Sequence, residues 1–148
     1  MKRLFISIML ALMTASSYGY DLNITQDDII IHNQDDWVYI GKTDLFSLYV
    51  EKSMIEESKD HIIDFHAYIE FNKLEDIQYL DAPVSRIYTY GKLNCPRGEM
   101  MMLTDMYTSS ENKVVFRQYF PVGTAIADMK TPNTMRLEAY KVICSESI

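Results

Sequence analysis

The sequence predicts an α+β domain, in which a meander of antiparallel strands is followed by one helix that packs on a sheet face. Two patterns lead to this fold class. Apolar side chains recur with a period of two between residues 37 and 119, which is typical of strands, and the period becomes helical after Thr131. The chain has 148 residues, of which 48% are apolar and 24% are charged. This composition predicts a single globular domain.

Residues 1–19 have the layout of a secretory signal peptide. Basic side chains precede an apolar run over 4–13, and Ser17 and Gly19 take the −3 and −1 positions of a cleavage site before Tyr20. The apolar run is too short for a membrane anchor, which needs about twenty residues. No cysteine lies near the cleavage site, so we expect no lipid anchor. No other stretch is long and apolar enough to cross a membrane, so we expect no transmembrane segment in the mature chain.

Export affects both the net charge of the mature chain and the expected state of its two cysteines. Removing residues 1–19 takes away two of the 14 basic residues and none of the 21 acidic ones, so the net charge goes from −7 to −9. Nucleic acid is excluded as a partner, because phosphate binding needs clustered Lys and Arg. Cys95 and Cys144 would reach an oxidising compartment, where an even pair is expected to form a disulfide.

Six segments of the mature chain alternate as strands do. Residues 20–36 precede them as a polar, acidic arm, and the segment 96–98 marks a turn between two of the strands. Residues 53–60 are predicted as a loop or one helical turn, and residues 73–82 as a long loop. The predicted strands are 37–40, 45–51, 61–71, 84–95, 99–107 and 113–119.

The strand over 61–71 has the clearest alternation. Its apolar face contains Ile63, Phe65, Ala67, Ile69 and Phe71, and its polar face contains Asp64, His66, Tyr68 and Glu70. One apolar and one polar face predict an antiparallel sheet that is covered on one side. Neighbours on one face lie ~6.6–6.8 Å apart, so Asp64 and His66 could just share a metal ion. The absence of a closely spaced His pair favours a solvated face, and we predict no metal site.

A helix is predicted at the end of the chain. Thr131 suits the N-cap and Pro132 the first helical position. Met135, Ala139, Val142 and Ile143 then share one helical face. The helix should lie on the apolar sheet face and bring Cys144, at its end, to Cys95 at the end of a strand.

The sequence contains no motif of a known type of active site. Nucleophile-elbow, zinc-protease, Walker and dinucleotide-binding patterns are absent, and the chain has only three His. Since nothing distinguishes a nucleophile, we predict no catalytic residues, no enzyme activity and no cofactor.

Tyrosines recur in nearly every predicted strand. Such amphipathic side chains of low entropy suit protein contact surfaces, although they could simply pack over the face of a small sheet. Together with the polar face of the strand over 61–71, they define a candidate contact surface. Its residues are Asp64, His66, Tyr68, Glu70, Arg86, Tyr88 and Tyr90.

Six short motifs follow one another between residues 36 and 144. They are Trp37-Val38, Leu48-Tyr49-Val50, Leu93-Asn94-Cys95, Thr104-Asp105-Met106-Tyr107, Thr131-Pro132-Asn133-Thr134 and Val142-Ile143-Cys144. In these motifs the chain resembles the surface-adhesin protein E family of Gram-negative bacteria. The resemblance implies that residues 37–148 form a twisted antiparallel sheet of about six strands, with a C-terminal helix on one face and one disulfide.

The resemblance also implies a function. Members of this family are small exported binding proteins, and the best known bind host matrix and serum proteins such as vitronectin and laminin. We therefore expect a non-enzymatic binding module, periplasmic or secreted, that contacts a protein partner such as a host matrix protein. This chain departs from the family in lacking a lipid-bearing Cys and in having only Arg86, Lys92 and Arg97 as basic residues around the first Cys.

Two other functions stay open, as do a monomer and a homodimer. A small acidic periplasmic domain could neutralise a toxin with a basic active-site cleft, and its negative charge would speed association. The candidate residues for such an immunity protein are Glu56, Glu57, Asp60, Glu75, Asp76 and Asp81. A third function is that of a haem or metal carrier centred on His66.

Overall fold

The computed structural model describes residues 36–51, 56–57 and 61–145. The predicted signal peptide and the arm as far as residue 35 lie outside these residues. The described chain forms eight strands and one helix. In order, they are β1 (Trp37–Lys42), β2 (Phe46–Glu51), β3 (Glu56–Glu57), β4 (Ile62–Glu75), β5 (Val84–Asn94), β6 (Glu99–Thr108), β7 (Val114–Tyr119), β8 (Ile126–Asp128) and α1 (Met135–Cys144).

All eight strands belong to one antiparallel sheet. Six of them follow one another in the order β1-β2-β4-β5-β6-β7, which confirms the predicted meander of six strands. The short strand β3 extends the edge of β4 beyond β2, and β8 extends the edge of β6 beyond β7. Because the described chain has one ten-residue helix beside this sheet, the fold is mainly β and the term α+β describes it only loosely.

Two predicted loops are partly strand. Within the segment 53–60, the described residues Glu56 and Glu57 form β3, and Glu56 lies opposite Asp64. Strand β4 continues to Glu75, so the prediction of a loop from residue 73 is wrong at its start. An irregularity after Glu70 lets Glu75 pair with Val84, and this pairing prolongs the strand.

The two faces of the sheet differ as the alternation predicted. We call the face that includes Ile63 and Phe65 the inner face, and the face that includes His66 and Tyr68 the outer face. The core on the inner face has three clusters: one beneath α1, one under the ends of β4, β5 and β6 away from Cys95, and one beside β8. Their buried members are, in that order, Val50, Ile63, Phe65, Leu93, Cys95, Met129, Ala139, Ile143 and Cys144; Ile69, Val84, Ile87 and Tyr107; and Met102, Phe120 and Ala125.

The helix begins later than predicted. Asn133 has a φ of 59°, in the left-handed region, so the chain before Thr134 is not helical. The N-cap is Thr134, whose hydroxyl oxygen accepts a hydrogen bond from the Leu137 N–H at 3.3 Å. Thr131 has a supporting role, because its carbonyl accepts a hydrogen bond from the Thr134 hydroxyl. No helix among residues 36–51, 56–57 and 61–145 is long and apolar enough to cross a membrane.

Cys95 and Cys144 form the predicted disulfide, with a sulfur–sulfur distance of 2.02 Å and a sequence separation of 49 residues. It joins the end of β5 to the last residue of α1. A second link lies beside it, because the Tyr140 hydroxyl donates a hydrogen bond to the Cys95 carbonyl at 2.8 Å. The helix is thereby attached to the sheet at its C-terminal end.

We expect Thr134→Ala to lower the free energy of unfolding by about 1 kcal/mol, the usual cost of losing an N-cap hydroxyl. Urea unfolding followed by circular dichroism measures the change. Thr131→Ala is the matched control, because the sequence pattern alone favours Thr131 as the cap. A larger loss in Thr131→Ala than in Thr134→Ala would contradict this helix boundary.

Candidate functional site

The seven residues of the candidate contact surface come together on the outer face. They lie on the neighbouring strands β4 and β5, and three pairs of them face one another directly across the ladder. The pairs are His66 with Tyr90, Tyr68 with Tyr88, and Glu70 with Arg86. Asp64, the seventh, lies opposite Lys92. The period of two therefore selected one continuous surface.

Four tyrosines form a row across the outer face, each on a different strand. Tyr39, Tyr49, Tyr68 and Tyr88 lie directly opposite one another along β1, β2, β4 and β5. Their ring centroids are 5.5, 4.6 and 5.2 Å apart in that order, within the range of favourable aromatic contacts. We call these four residues the tyrosine row. Tyr39, on strand β1, has 52% of its surface exposed.

Trp37 packs across the tyrosine row. Its ring centroid lies 4.6 Å from that of Tyr68 and 6.3 Å from that of Tyr88, in edge geometry, so the indole extends from β1 as far as β5. Trp37 lies opposite Glu51, which is fully buried. The seven residues predicted from the sequence do not include Trp37, Tyr39, Tyr49 or Glu51. Trp37 and Tyr39 alternate along β1, and Tyr49 and Glu51 along β2, as residues of one strand face do. This alternation was the signal that could have identified them.

The buried Glu51 carboxylate pairs with His66. The distance from His66 Nδ1 to Glu51 Oε2 is 3.1 Å. The His66 ring also contacts Tyr90 edge-on, with 5.1 Å between centroids. His66 is thus oriented by neighbours on β2 and β5, and its Nδ1 is engaged by a carboxylate.

The remaining charged groups of the surface are paired. The Arg86 guanidinium donates two hydrogen bonds to one Glu70 carboxylate oxygen, at 2.7 and 2.9 Å, and lies 5.7 Å from the centroid of the Tyr68 ring. Lys92 donates to Asp64 at 2.6 Å. Each pair brings one positive and one negative charge, so these two pairs add no net charge beside the tyrosine row.

Burial makes Tyr68, in the tyrosine row, harder to ionise. Desolvation raises the pKa of Tyr68 to about 12 from its usual value of 10.0, against an opposing effect of the nearby Arg86 cation. A tyrosine hydroxyl is already neutral at physiological pH, and the shift extends that neutral range to higher pH. In chemical terms the outer face offers ordered aromatic rings, neutral hydroxyls and paired charges.

No group of three or more His, Cys, Asp or Glu that could hold a metal occurs in the described ranges 36–51, 56–57 and 61–145. Asp64 and His66 bond to different partners, since Asp64 accepts from Lys92 and from the Tyr90 hydroxyl whereas His66 pairs with Glu51. The two side chains therefore do not converge on a shared ligand position.

The acidic candidates are spread along β4. Glu56 and Glu57 form β3, beside the start of β4, whereas Glu75 ends β4 and Asp76 and Asp81 follow it. Asp60 lies outside the described residues. A strand rises ~3.3 Å per residue, so the two ends of the set are separated by about 35 Å. The structure does not bring the described members into one patch.

No protein-family model and no curated protein matches the chain. Solved structures of Haemophilus influenzae protein E have a similar fold. One, of crystal form II, has 15% sequence identity and a TM-score of 0.57, covering 78% of this chain and 91% of that chain. A second has 15% identity and a TM-score of 0.56, with 78% and 88% covered. A third, from non-typeable H. influenzae, has 16% identity and a TM-score of 0.53, with 77% and 78% covered.

At this identity the likeness concerns the fold alone, and it agrees with the fold that the sequence motifs implied. The match extends over most of both chains, including 78% of this one. The chain therefore has a fold remotely similar to that of protein E.

Proposed function

We propose that the protein is an exported, non-enzymatic binding module that contacts a protein partner through its outer face. The observation that carries the proposal is the tyrosine row, which Trp37 packs into an ordered aromatic surface on the face opposite α1. The likeness to protein E supports a binding role, because the sequence motifs resemble a family of exported adhesins.

The composition of this surface is that of a contact site. Tyr and Trp are the side chains most enriched among residues that dominate binding energy. Rings that already pack on one another lose little further freedom when a partner binds. The pairs Glu70–Arg86 and Asp64–Lys92 flank the rings and supply polar groups of the kind found at the rim of interfaces.

Export is the second part of the proposal. Residues 1–19 have the pattern of a signal peptide, and a disulfide such as Cys95–Cys144 is typical of proteins in an oxidising compartment. We infer a periplasmic or secreted location. The leading partner is a host matrix protein, as the family resemblance implies.

The immunity-protein alternative has less support. It depends on the net charge of the mature chain, and the described acidic candidates are too far apart to meet one compact basic cleft. The carrier alternative depends on His66, whose Nδ1 is engaged by the Glu51 carboxylate. Neither alternative explains why Trp37 and the tyrosine row share one surface.

We expect Tyr39→Ala to weaken binding of the partner about tenfold, the effect of losing an exposed aromatic anchor at an interface. The partner is first captured on the immobilised, oxidised protein, from a host matrix extract and in parallel from a periplasmic extract. Affinities are then compared by biolayer interferometry.

Tyr79→Ala is the matched control. Tyr79 is as exposed as Tyr39, at 54% against 52%, but it contacts Phe116, which packs with the second core cluster on the inner face. Equal losses in the two variants would contradict the outer face as the contact surface. Recovery of no protein partner from either extract would contradict the binding module itself.

A further inference from the structure

A cavity of about 210 Å³ lies on the inner face, between the sheet and α1. Apolar side chains from β2, β4, β6, β8 and α1 line most of it. Alanines point to it from three different elements, namely Ala67, Ala127 and Ala139. Because a methyl group fills little space, these positions leave a void where the three core clusters adjoin.

Two polar residues matter for what the cavity could hold. Arg136, in the first turn of α1, lines the cavity and is itself exposed, so its guanidinium marks the side open to solvent. Among the described residues Arg136 has no carboxylate partner, in contrast to Arg86 and Arg97. Within the part of the chain that the structure describes, the cavity mouth therefore has a cation without a carboxylate partner.

The second polar residue already has a hydrogen-bond partner. Thr89 lines the cavity, and its hydroxyl donates a hydrogen bond to the Asp105 carboxylate at 2.7 Å. Its proton is not available to a second acceptor, and the neighbouring acidic group repels an anion. A negatively charged ligand would accordingly place its charge at Arg136 and its apolar part inside.

The size of the cavity limits the apolar part. A cavity of about 150 Å³ lined by Leu, Ile and Phe stays dry and binds benzene. The present cavity, at about 210 Å³, is larger, and on the same scale it would hold a hydrocarbon of roughly six to ten carbons. Met100, Met102 and Met129 are among its walls, and methionine adapts its shape to apolar ligands.

We propose that this cavity binds a single-chain amphiphile with a carboxylate head. The acyl chain occupies the apolar interior, and the carboxylate accepts hydrogen bonds from the Arg136 guanidinium, which suits planar anions. The cavity lies on the inner face and the proposed protein contact surface on the outer face, and Tyr68 is the one residue that belongs to both sets. The two proposals are tested with different ligands and different variants.

Isothermal titration of the oxidised protein with octanoate tests the site. We expect one octanoate per chain, with a negative heat-capacity change from burial of the hydrocarbon. Octylamine, which has the same chain and the opposite charge, should bind about tenfold more weakly or not at all.

Arg136→Gln should weaken octanoate binding about tenfold and leave binding of neutral octanol unchanged. Lys141→Gln is the matched control, because Lys141 is also an exposed cation on α1 but pairs with Glu138 and does not line the cavity. A second variant, Ala139→Met, fills the cavity and should abolish binding of both ligands.

Several results would overturn the site. These are octanoate binding that saturates at more than one molecule per chain, equal binding of octylamine, or an Arg136→Gln variant with unchanged affinity. Absence of heat at two well-separated temperatures, up to about millimolar octanoate and with the protein folded by circular dichroism, would also refute it.

Discussion

Replacing both cysteines, as Cys95→Ala with Cys144→Ala, is expected to lower the free energy of unfolding by about 4 kcal/mol. The bond closes a loop of about fifty residues, and the chain-entropy relation for such a loop gives roughly this value. Small domains are stable by only about 5–15 kcal/mol in total, so the loss is a large share of the stability. Urea unfolding at neutral pH measures it.

The control is the unaltered protein with its disulfide reduced, which should lose nearly as much stability as the double variant. The Tyr140 hydroxyl bond to the Cys95 carbonyl is retained in both, because it involves the main chain. A change below about 1 kcal/mol in the double variant would mean that other contacts hold α1 on the sheet.

The second large effect is a gain in stability. Burial raises the pKa of Asp105 to about 6 from its usual value of 3.8, and the Thr89 hydrogen bond opposes the shift only in part. The native protein thus binds this proton more tightly than the unfolded chain does. The resulting stability is fully present below about pH 4 and is lost as the pH rises through about 6.

We therefore expect Asp105→Asn to be more stable than the unaltered protein by about 2–3 kcal/mol near pH 8, since a shift of one pKa unit corresponds to ~1.4 kcal/mol. The asparagine cannot ionise, and its oxygen can still accept the Thr89 hydrogen bond. Near pH 4 the two proteins should be about equally stable.

Urea unfolding at several pH values measures both stability curves, and Asp76→Asn is the matched control because Asp76 is exposed. Its curve should follow that of the unaltered protein within about 0.5 kcal/mol. A constant offset of Asp105→Asn at all pH values would show that the gain does not come from the ionisation of Asp105.

The sequence predicted what depends on periodicity within one strand. The alternation over residues 61–71 correctly separated Ile63 and Phe65 from His66 and Tyr68, because strand geometry fixes the period at two. The disulfide was equally predictable, since the chain has only two cysteines. The surface of seven residues follows from combining one face of β4 with one face of β5.

What depends on register between strands was not predictable from the sequence. Nothing in a strand's own alternation says that Tyr39, Tyr49 and Tyr68 are opposite one another, since a shift of one residue would change every pair. The burial of Glu51 follows from the same register, which sets Trp37 against it. The cavity depends on how the three core clusters pack together, and no pattern along the sequence corresponds to it.

The helix start illustrates a local ambiguity. The segment 131–134 contains a threonine at each end, and both suit an N-cap. The left-handed conformation of Asn133 decides in favour of Thr134. Strand β8 was missed for a different reason, because three residues are too few to establish a period.

The order of the strands has a consequence for how the chain folds. Most neighbours in the sheet are also neighbours in sequence, so β4, β5, β6 and β7 can assemble as successive local hairpins, which costs little loop-closure entropy. The contacts of α1 with β1, β2 and β4 instead join distant parts of the chain. We expect helix docking to be the late step, and oxidation of Cys95 and Cys144 then marks a chain that has finished folding.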